Sequence, residues 1–565
     1  MTAPRPGPEA HAEPGVPPQR AQAADGPVPP AADHAMPVVG DRPVGRQSGF
    51  VILNSVAGAL QGYLALFVIA RYMVDGDEVL GGRAIALTLV ALAGTIARLG
   101  LPTTHVRRLA RGEDVAASTG TYMALKSALT ALFMLVAGAA LYLWFEVLDR
   151  SVTDTTPTAL WLAYAIVVVQ SLRDIPVNSF QGLRRIAERE AVLFTNTIST
   201  VLLTVWVGVA VAGATGRWMP FPALGEWAAS TLAIPADVAV PAIVDLLMTA
   251  ILVGECAALL LAFGLFVWRR IPVARPRRDL ATAYLRFTVP LMFLAVGEVA
   301  TKWLSQGMLW VWWDAAEVGQ YAAGAKFSEV LLLLGTGMAI VLLPAMSALH
   351  HRGDRAGALR LVHDAERWSS LILWPATMAT LLLSGAVVHV LLSDQFARAT
   401  VPLALLAVQA LVTCLVLPVQ SFAIATGRTR FAARVVMTVL AADVAFGLVL
   451  IPRHLGPLPM AGLGATGAAL ATLAATMLAV GLFRMPKGDW PGHRFLRRTL
   501  AKHALAALAA GTAFVLLPLP VPDRFYSLGL QALLLLGLYV AGLLAMGELR
   551  RSDWQTIRRL LRSTP

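Results

Sequence analysis

The sequence predicts an all-α polytopic membrane protein with fourteen transmembrane helices, and three observations lead to this prediction. Of the 565 residues, 57% are hydrophobic and only 14% are charged, whereas roughly a quarter of the residues in a soluble domain are charged. The hydrophobic residues form blocks of about 20, the length of a helix that spans the hydrocarbon core. The number of Lys and Arg residues alternates between high and low in successive loops, as it does in polytopic membrane proteins.

The apolar blocks follow one another from residue 48 almost to the C-terminus. Their approximate bounds are 48–70, 80–101, 119–144, 158–180, 191–213, 240–268, 287–311, 327–349, 369–392, 401–425, 432–452, 462–483, 503–520 and 527–547. The thirteenth is the shortest of these and ends in prolines. Each block predicts one membrane-spanning helix.

The basic residues predict how these helices are oriented. The loops after the even-numbered blocks, together with the C-terminal tail, contain 29 Lys or Arg, and the loops after the odd-numbered blocks contain seven. Because basic loops stay in the cytoplasm, both termini are expected there, in a multi-pass protein of the plasma (inner) membrane. The same bias explains the formal net charge of +12, so no nucleic-acid partner is expected.

The first 46 residues differ from the rest of the chain. Pro, Ala and Gly dominate residues 1–46 and bulky apolar side chains are scarce. Such a segment cannot bury enough apolar surface to fold, and it lacks the apolar core of a signal peptide. It is therefore predicted to be a disordered cytoplasmic tail.

A short motif occurs twice, half a chain apart. Arg111-Gly112-Glu113-Asp114 and Arg352-Gly353-Asp354 both follow the second helix of a set of six, and their glycines lie 241 residues apart. The same shift places Lys126 over Arg367. The stretches EVLGGRAIA at 78–86 and AEVGQYAAG at 316–324 are also similar, and each opens a helix from outside. The chain is therefore predicted to contain two six-helix lobes.

These observations divide the chain into five parts. The tail, 1–46, precedes the N-lobe, 47–268, a cytoplasmic linker, 269–286, and the C-lobe, 287–485, while residues 486–565 form a two-helix extension with a cytoplasmic C-terminal tail. Both lobes begin in the cytoplasm, so they are parallel repeats about an axis along the membrane normal. Transporters with internal repeats place the substrate path between the repeats.

Several segments resemble one known family. They are VIARYMVDGDEVLGGRAIALTL at 68–89, RLGLPTTHVRRLAR at 98–111, FQGLRRIAE at 180–188, RFTVPLMF with AAEVGQYAAGAK in the seventh and eighth helices, and GLGATGAALAT at 462–472. In order and spacing they resemble the polysaccharide-biosynthesis flippases of the multidrug, oligosaccharidyl-lipid and polysaccharide exporter superfamily. The resemblance covers about 48–485. One departure is Ser305, which stands where many relatives carry an Asp.

The resemblance implies a flippase for polyprenyl-diphosphate-linked oligosaccharides. Such a protein moves its substrate from the cytoplasmic to the outer leaflet by alternating access, for the synthesis of cell-surface polysaccharide. The implied partners are the lipid-linked oligosaccharide, membrane lipids, H⁺ or Na⁺ as coupling ion, and glycosyltransferases or a polymerase of the same pathway.

Basic residues within the predicted spans are candidates for binding a diphosphate, since ionisable groups at this depth usually face protein or a wet cavity. Lys126 and Arg173 lie about two turns inside the cytoplasmic face, Arg367 matches Lys126 in the repeat, and Lys302 lies near mid-depth. Guanidinium and ammonium groups are good phosphate ligands. The alternative for Arg173 is an ion pair with Asp174 or a lipid phosphate.

Acidic residues within the spans are candidates for binding a coupling ion. Glu255 and Asp443 have no partner nearby in sequence, and a buried carboxyl group without one binds a proton more readily. Glu298 stands four residues before Lys302, so mutual neutralisation is as good an interpretation as a cavity role. Four further charged residues are expected at the membrane interface instead: Arg83, Arg98, Asp245 and Glu329.

The sequence is compatible with three other functions. A cation-coupled multidrug exporter and a peptidoglycan-precursor flippase belong to the same superfamily, and a membrane glycan polymerase or ligase is the enzymatic alternative. The longest outside loop, 214–239, lacks an acid/base pair, and no nucleotide-binding glycine motif occurs. An enzyme is therefore not expected, and the sequence predicts no catalytic residue, metal ligand or cofactor.

Overall fold

The computed structural model describes residues 44–98, 100–110, 113–143, 157–486, 493 and 497–548. Nearly all of the predicted tail, 1–46, lies outside these residues. Contacts divide the chain into a short unit, Met1–Ser48, and a large one, Gly49–Pro565, and the contacts described below lie within the large unit. The side chains of residues 287–302 are also outside the description.

The described residues are mostly helical. Up to the linker, the helices are α1 (Val44–Tyr72), α2 (Gly76–Arg98), α3 (Leu101–Ala110), α4 (Val115–Tyr142), α5 (Pro157–Gly182), α6 (Ile186–Ala214), α7 (Pro222–Leu232) and α8 (Val240–Trp268). The short helices α3 and α7 are additions to the predicted spans.

The second half continues in the same way. Its helices are α9 (Arg278–Trp312), α10 (Ala315–His351), α11 (Arg355–Val387), α12 (Thr400–Ala425), α13 (Thr429–Leu450), α14 (Gly464–Arg484), α15 (Arg497–Leu516) and α16 (Phe525–Ala545). A π-helical turn (Val388–Leu392) and a 3-10 helix (Asp394–Ala399) join α11 to α12. A small antiparallel hairpin, β1 (His454–Leu455) and β2 (Leu458–Pro459), lies between α13 and α14.

Each of the fourteen predicted blocks lies on one of the long helices, and ten of the described helices are long and apolar enough to cross a membrane. The long helices outside that set are α1, α2, α9 and α10; α1 contains the shorter apolar segment Val56–Tyr72. The chain is therefore a multi-pass membrane protein, and the count of fourteen spans stays a prediction.

The structure explains part of the repeated Arg-Gly-acid motif. Asp114 caps α4 by accepting a hydrogen bond from the backbone N–H of Ala117 at 3.1 Å. Asp354 caps α11 in the same way, at 2.7 Å from the nitrogen of Gly357. A side-chain oxygen at the N-cap satisfies a backbone donor that a helix cannot satisfy itself. The preceding Gly353 has φ +76°, a conformation that glycine adopts without strain.

The other repeated stretch forms a contact between α2 and α10. A Cβ atom on Gly81 would lie 1.6 Å from the carbonyl oxygen of Ala315, and one on Gly319 would lie 1.9 Å from that of Asp77. The two contacts are reciprocal, because Gly319 and Ala315 follow Gly81 and Asp77 by the same 238 residues. Only glycine permits two backbones to approach this closely, so the sequence of the repeat is explained by this helix crossing.

The helices beyond the C-lobe pack on its outside. Helices α15 and α16 pack against each other and against α11. Their shared core includes Met378 of α11, Phe514 of α15 and Leu535 and Tyr539 of α16. The extension is therefore attached through α11 and leaves α2, α9 and α10 to face one another.

Candidate functional site

A cavity of about 390 Å³ is lined by residues of both segments that the sequence predicts to be lobes, the N-lobe and the C-lobe. Helices α1 and α2 form one wall, and α9, α10, α12, α13 and α14 form the other. Its volume is that of an ordinary small-molecule site. Trp303 and Tyr321 contribute aromatic surface, and Gln306 and Gln409 contribute amides.

Four charged residues line this central cavity: Arg83, Lys326, Glu329 and Asp443. Lys326 and Glu329 form an ion pair within α10, with 2.7 Å between Nζ and Oε2. The Nε of Arg83 and both carboxylate oxygens of Asp443 are buried, and within the described part of the chain they have no hydrogen-bond partner. Since a buried charge without partners is costly, these two groups are the ones best placed to interact with a ligand.

Polar contacts join the two lobes at one end of the cavity. The hydroxyl of Tyr63 donates to the carbonyl oxygen of Lys326 at 2.6 Å. The amide of Gln320 donates to Asp77 at 3.1 Å and to the carbonyl oxygen of Gln395 at 2.8 Å. The side chain of Gln395 accepts from the nitrogen of Gly76 at 3.0 Å. Together with the Gly81–Gly319 crossing, the bonds of Gln320 and Gln395 lie toward the end that the loop charges predict to be extracytoplasmic.

The predicted substrate ligand Arg173 is paired inside the N-lobe. Its Nη1 lies 2.5 Å from Oε2 of Glu255, and the two side chains are 8% and 3% exposed. Glu255 also accepts hydrogen bonds from Gln170 at 2.8 Å and Asn196 at 3.1 Å. One predicted substrate ligand and one predicted ion ligand are thus each other's partners, across α5 and α8.

Lys126 and Arg98 both contact Asp174, the residue that follows Arg173 in the sequence. The ammonium nitrogen of Lys126 is 3.9 Å from Oδ2 of Asp174 and its side chain is fully buried. Arg98 binds the same carboxylate oxygen through Nε at 3.0 Å and donates to Gln170 at 3.1 Å. We call these residues the N-lobe polar cluster: Arg98, Lys126, Gln170, Arg173, Asp174, Asn196 and Glu255.

The remaining predicted ligands lie elsewhere. Arg367 contacts the end of α16, where its Nη2 donates to the carbonyl oxygen of Glu548 at 3.2 Å. It is therefore bound to the extension and is not among the residues that line the central cavity. The side chains of Glu298 and Lys302 lie outside the description, although α9 carries both residues. Of the predicted residues whose side chains are described, Asp443 lines the cavity.

Sequence reasoning missed three of the four charged residues that line the cavity. Arg83 and Glu329 were expected at the membrane interface, and Lys326 was assigned to an outside loop, but all three line the cavity. A signal for Arg83 was present, because it follows Gly81 in the repeated stretch and so lies one turn or less from the helix crossing. Nothing in the sequence around Lys326 indicated its position.

Comparison with solved structures shows the fold. A structure of the lipid II flippase MurJ in an inward closed conformation superposes with a TM-score of 0.63 at 12% identity, covering 87% of this chain and 98% of that one. An inward-facing multidrug resistance MATE family transporter of the MOP superfamily superposes with a TM-score of 0.53 at 13% identity, covering 76% and 96%. No curated protein sequence matches the chain.

Helices long and apolar enough to cross a membrane surround a cavity, and the chain shares the fold of these two proteins. Residues 44–350, more than half of the chain, match the profile of the polysaccharide biosynthesis protein family. The chain belongs to this family, as the resemblance of its motifs predicted.

Proposed function

We propose that this protein flips a polyprenyl-diphosphate-linked oligosaccharide from the cytoplasmic to the outer leaflet by alternating access. The observation that carries the proposal is the half-buried side chain of Arg83, whose buried Nε has no hydrogen-bond partner among the described residues, in the central cavity of a polysaccharide biosynthesis protein. A guanidinium is a strong ligand for phosphate oxygens, because its donors match their geometry. The diphosphate of the substrate would bind there.

The size of the cavity suggests that only the headgroup of the substrate enters the protein and that its lipid tail stays outside. A space of about 390 Å³ suits a diphosphate with the first sugars, and the amides and aromatic rings of the wall suit a sugar. The polyprenyl chain would stay in the bilayer, because each CH₂ that leaves an apolar environment costs about 0.8 kcal/mol. The headgroup alone would cross through the protein while the tail remains in lipid.

The contacts between the lobes support alternating access. The Gly81–Gly319 crossing and the bonds of Gln320 would keep the outer end closed while the headgroup enters from the cytoplasm. Opening to the outside would require these contacts to separate as the two lobes rock against each other around the cavity. Asp443 is the candidate site for H⁺ or Na⁺, since it is the buried carboxylate of the cavity that lacks a hydrogen-bond partner among the described residues.

Two other substrates have some support. The unpaired carboxylate of Asp443 would suit an organic cation, the cargo of a multidrug exporter, whose fold this chain shares. The precursor of peptidoglycan, lipid II, is also a polyprenyl diphosphate, and the lipid II flippase shares the fold as well. Arg83 favours a diphosphate over a cation, and family membership favours an oligosaccharide over the peptidoglycan precursor.

The test is a flipping assay in proteoliposomes with three substrates. Fluorescent polyprenyl-diphosphate oligosaccharide and fluorescent lipid II are followed by a membrane-impermeant quencher, and a fluorescent cationic drug by its accumulation. We expect flipping of the oligosaccharide lipid, and at least tenfold less of it with Arg83→Gln. Drug accumulation without lipid flipping would assign the chain to the exporters, and flipping of lipid II alone would assign it to peptidoglycan synthesis.

The orientation is tested separately. Single cysteines placed at 269–286 and 350–367, after Cys256 and Cys414 have been replaced, should react with a membrane-impermeant maleimide only from the cytoplasmic side. Both segments belong to the basic class of loops. Labelling of either segment from outside would contradict the fourteen-span topology and with it the direction of transport.

A further inference from the structure

Three potential metal ligands lie close together outside the cavity, two on α11 and one after the end of α14. They are His363 and Glu366 of α11 and His493. Residues three apart on a helix lie on the same face, so the first two point toward the same neighbour. The backbone N–H of His493 donates to the carbonyl oxygen of Phe483 at 2.8 Å, which fixes the third residue against the end of α14.

The ligand atoms of the three side chains converge. Nε2 of His493 lies 2.5 Å from Oε1 of Glu366, the two imidazole rings lie 5.5 Å apart, and one ligand atom from each of the three residues falls within 4.8 Å of the others. Zinc binds nitrogen and oxygen ligands at about 2.0–2.1 Å, so two ligands of a tetrahedral ion stand about 3.4 Å apart. The distance between Nε2 of His493 and Oε1 of Glu366 is shorter than this value and the other separations are at most 4.8 Å, so side-chain shifts on the order of 1 Å would reach it.

Burial and charge make this more than a surface cluster. The side chains of Glu366 and His493 are 0% and 2% exposed, whereas His363 is half-buried. A buried carboxylate needs a compensating charge, which either a protonated His493 or a cation can supply.

We propose that His363, Glu366 and His493 form a binding site for a divalent transition-metal ion, with Zn²⁺ as the preferred occupant. Two imidazoles and one carboxylate are a ligand set that zinc accepts, with a water in the fourth position. The half-buried side of His363 gives the ion a path from solvent and leaves room for that water. Glu366 and His493 fix the buried half of the site.

The site would join the C-lobe to the extension. It would tie α11 to His493, and α11 is also the helix on which α15 and α16 pack. By the loop charges this face is cytoplasmic, where the ion would bind. The inference does not depend on which substrate the protein transports, because binding of the metal is measured directly.

The experiment uses the full-length protein in detergent, purified without a histidine tag, treated with EDTA and dialysed. Zn²⁺ is added back, and its stoichiometry and affinity are measured by elemental analysis and by competition with a fluorescent zinc chelator. We expect one tightly bound equivalent, and an affinity at least 100-fold lower in His363→Gln, since loss of even a supporting residue around a metal typically costs about 10–100-fold. Because His363 is half-buried, this variant should fold.

His389 supplies the matched control. It also forms a histidine–carboxylate pair, with 2.7 Å between Nδ1 and Oδ1 of Asp394, but no third ligand joins it in the described structure. His389→Gln should therefore bind Zn²⁺ like the parent protein. A parent protein that retains no stoichiometric Zn²⁺, or equal affinity in His363→Gln and the parent, would show that Glu366 and His493 are only an ion pair.

Discussion

The N-lobe polar cluster and the central cavity both contain charged residues at membrane depth, but they differ in how these charges are compensated. In the cluster Arg173 is bound to Glu255 at 2.5 Å, and Asp174 contacts two cations. In the cavity Arg83 and Asp443 retain buried atoms with no hydrogen-bond partner among the described residues. The cluster holds helices together, whereas the cavity has charges left for a ligand.

This difference changes how charged residues within spans should be interpreted. Depth in the membrane identifies ionisable groups that need a partner, but it does not say whether the partner is protein or substrate. Lys126 and Arg173 meet the criterion of depth, yet carboxylates of the same lobe accompany both. Substitutions in the cluster should therefore affect folding, and substitutions in the cavity should affect transport.

Arg173→Gln should have the largest effect, and the effect should be on folding. Removing one partner of a buried ion pair leaves the other charge uncompensated, which costs about 3–5 kcal/mol. We therefore expect little folded Arg173→Gln protein in the membrane and a strongly lowered unfolding temperature in detergent. Membrane yield and thermal unfolding are the measurements.

The double variant Arg173→Gln, Glu255→Gln is the control for this prediction. It removes both charges and keeps side chains that can hydrogen bond, so it should recover most of the stability. A well-folded Arg173→Gln protein that fails to transport would give the opposite answer, and it would restore Arg173 as a candidate substrate ligand.

Arg83→Gln should have the next largest effect, and the effect should be on transport. A charge-assisted hydrogen bond contributes on the order of 1.5–3 kcal/mol, so flipping of a diphosphate lipid should fall about tenfold to a hundredfold. No loss of stability is expected, because the described residues show no ion pair of Arg83 that the change would break. Flipping rates normalised to folded protein are the measurement.

Arg83→Lys distinguishes charge from geometry at the same position. It keeps the cation and loses the planar donors that match phosphate, so its flipping rate should lie between those of Arg83→Gln and the parent. Equal rates in all three proteins would remove Arg83 from the site and with it the main support for a phosphate-bearing substrate.

The two regions also show what the sequence could and could not predict. Apolar length located every long helix, and the repeated glycines marked the crossing at Gly81 and Gly319, because both features are local. The partners of the charges are not local: Arg173 and Glu255 lie 82 residues apart. Helix packing alone brings them together, so depth could select Arg173 but could not tell a structural cation from a binding one.

Asp443→Asn should produce a smaller effect, confined to coupling. If this carboxylate carries H⁺ or Na⁺, an ion gradient should no longer increase the flipping rate of the Asp443→Asn protein. Slow flipping without a gradient should be retained. Proteoliposomes with and without imposed H⁺ or Na⁺ gradients provide the measurement. The control is Glu329→Gln, which removes a cavity carboxylate that is paired with Lys326. An unchanged gradient response in Asp443→Asn would exclude it as the coupling site.

Arg98→Gln should have the smallest effect, although Arg98 belongs to the cluster. Its side chain is 42% exposed, and an ion pair so accessible to water contributes about 0.2–1 kcal/mol. Asp174 would also remain near Lys126, whose nitrogen is 3.9 Å away. We expect near-normal stability and flipping in Arg98→Gln. The double variant Arg98→Gln, Lys126→Gln should lose much more stability than the sum of the losses in the two single variants, because residues that share a partner are coupled. Additive effects would mean that Asp174 is compensated by some other group, and a transport defect in folded Lys126→Gln would return that lysine to the substrate path.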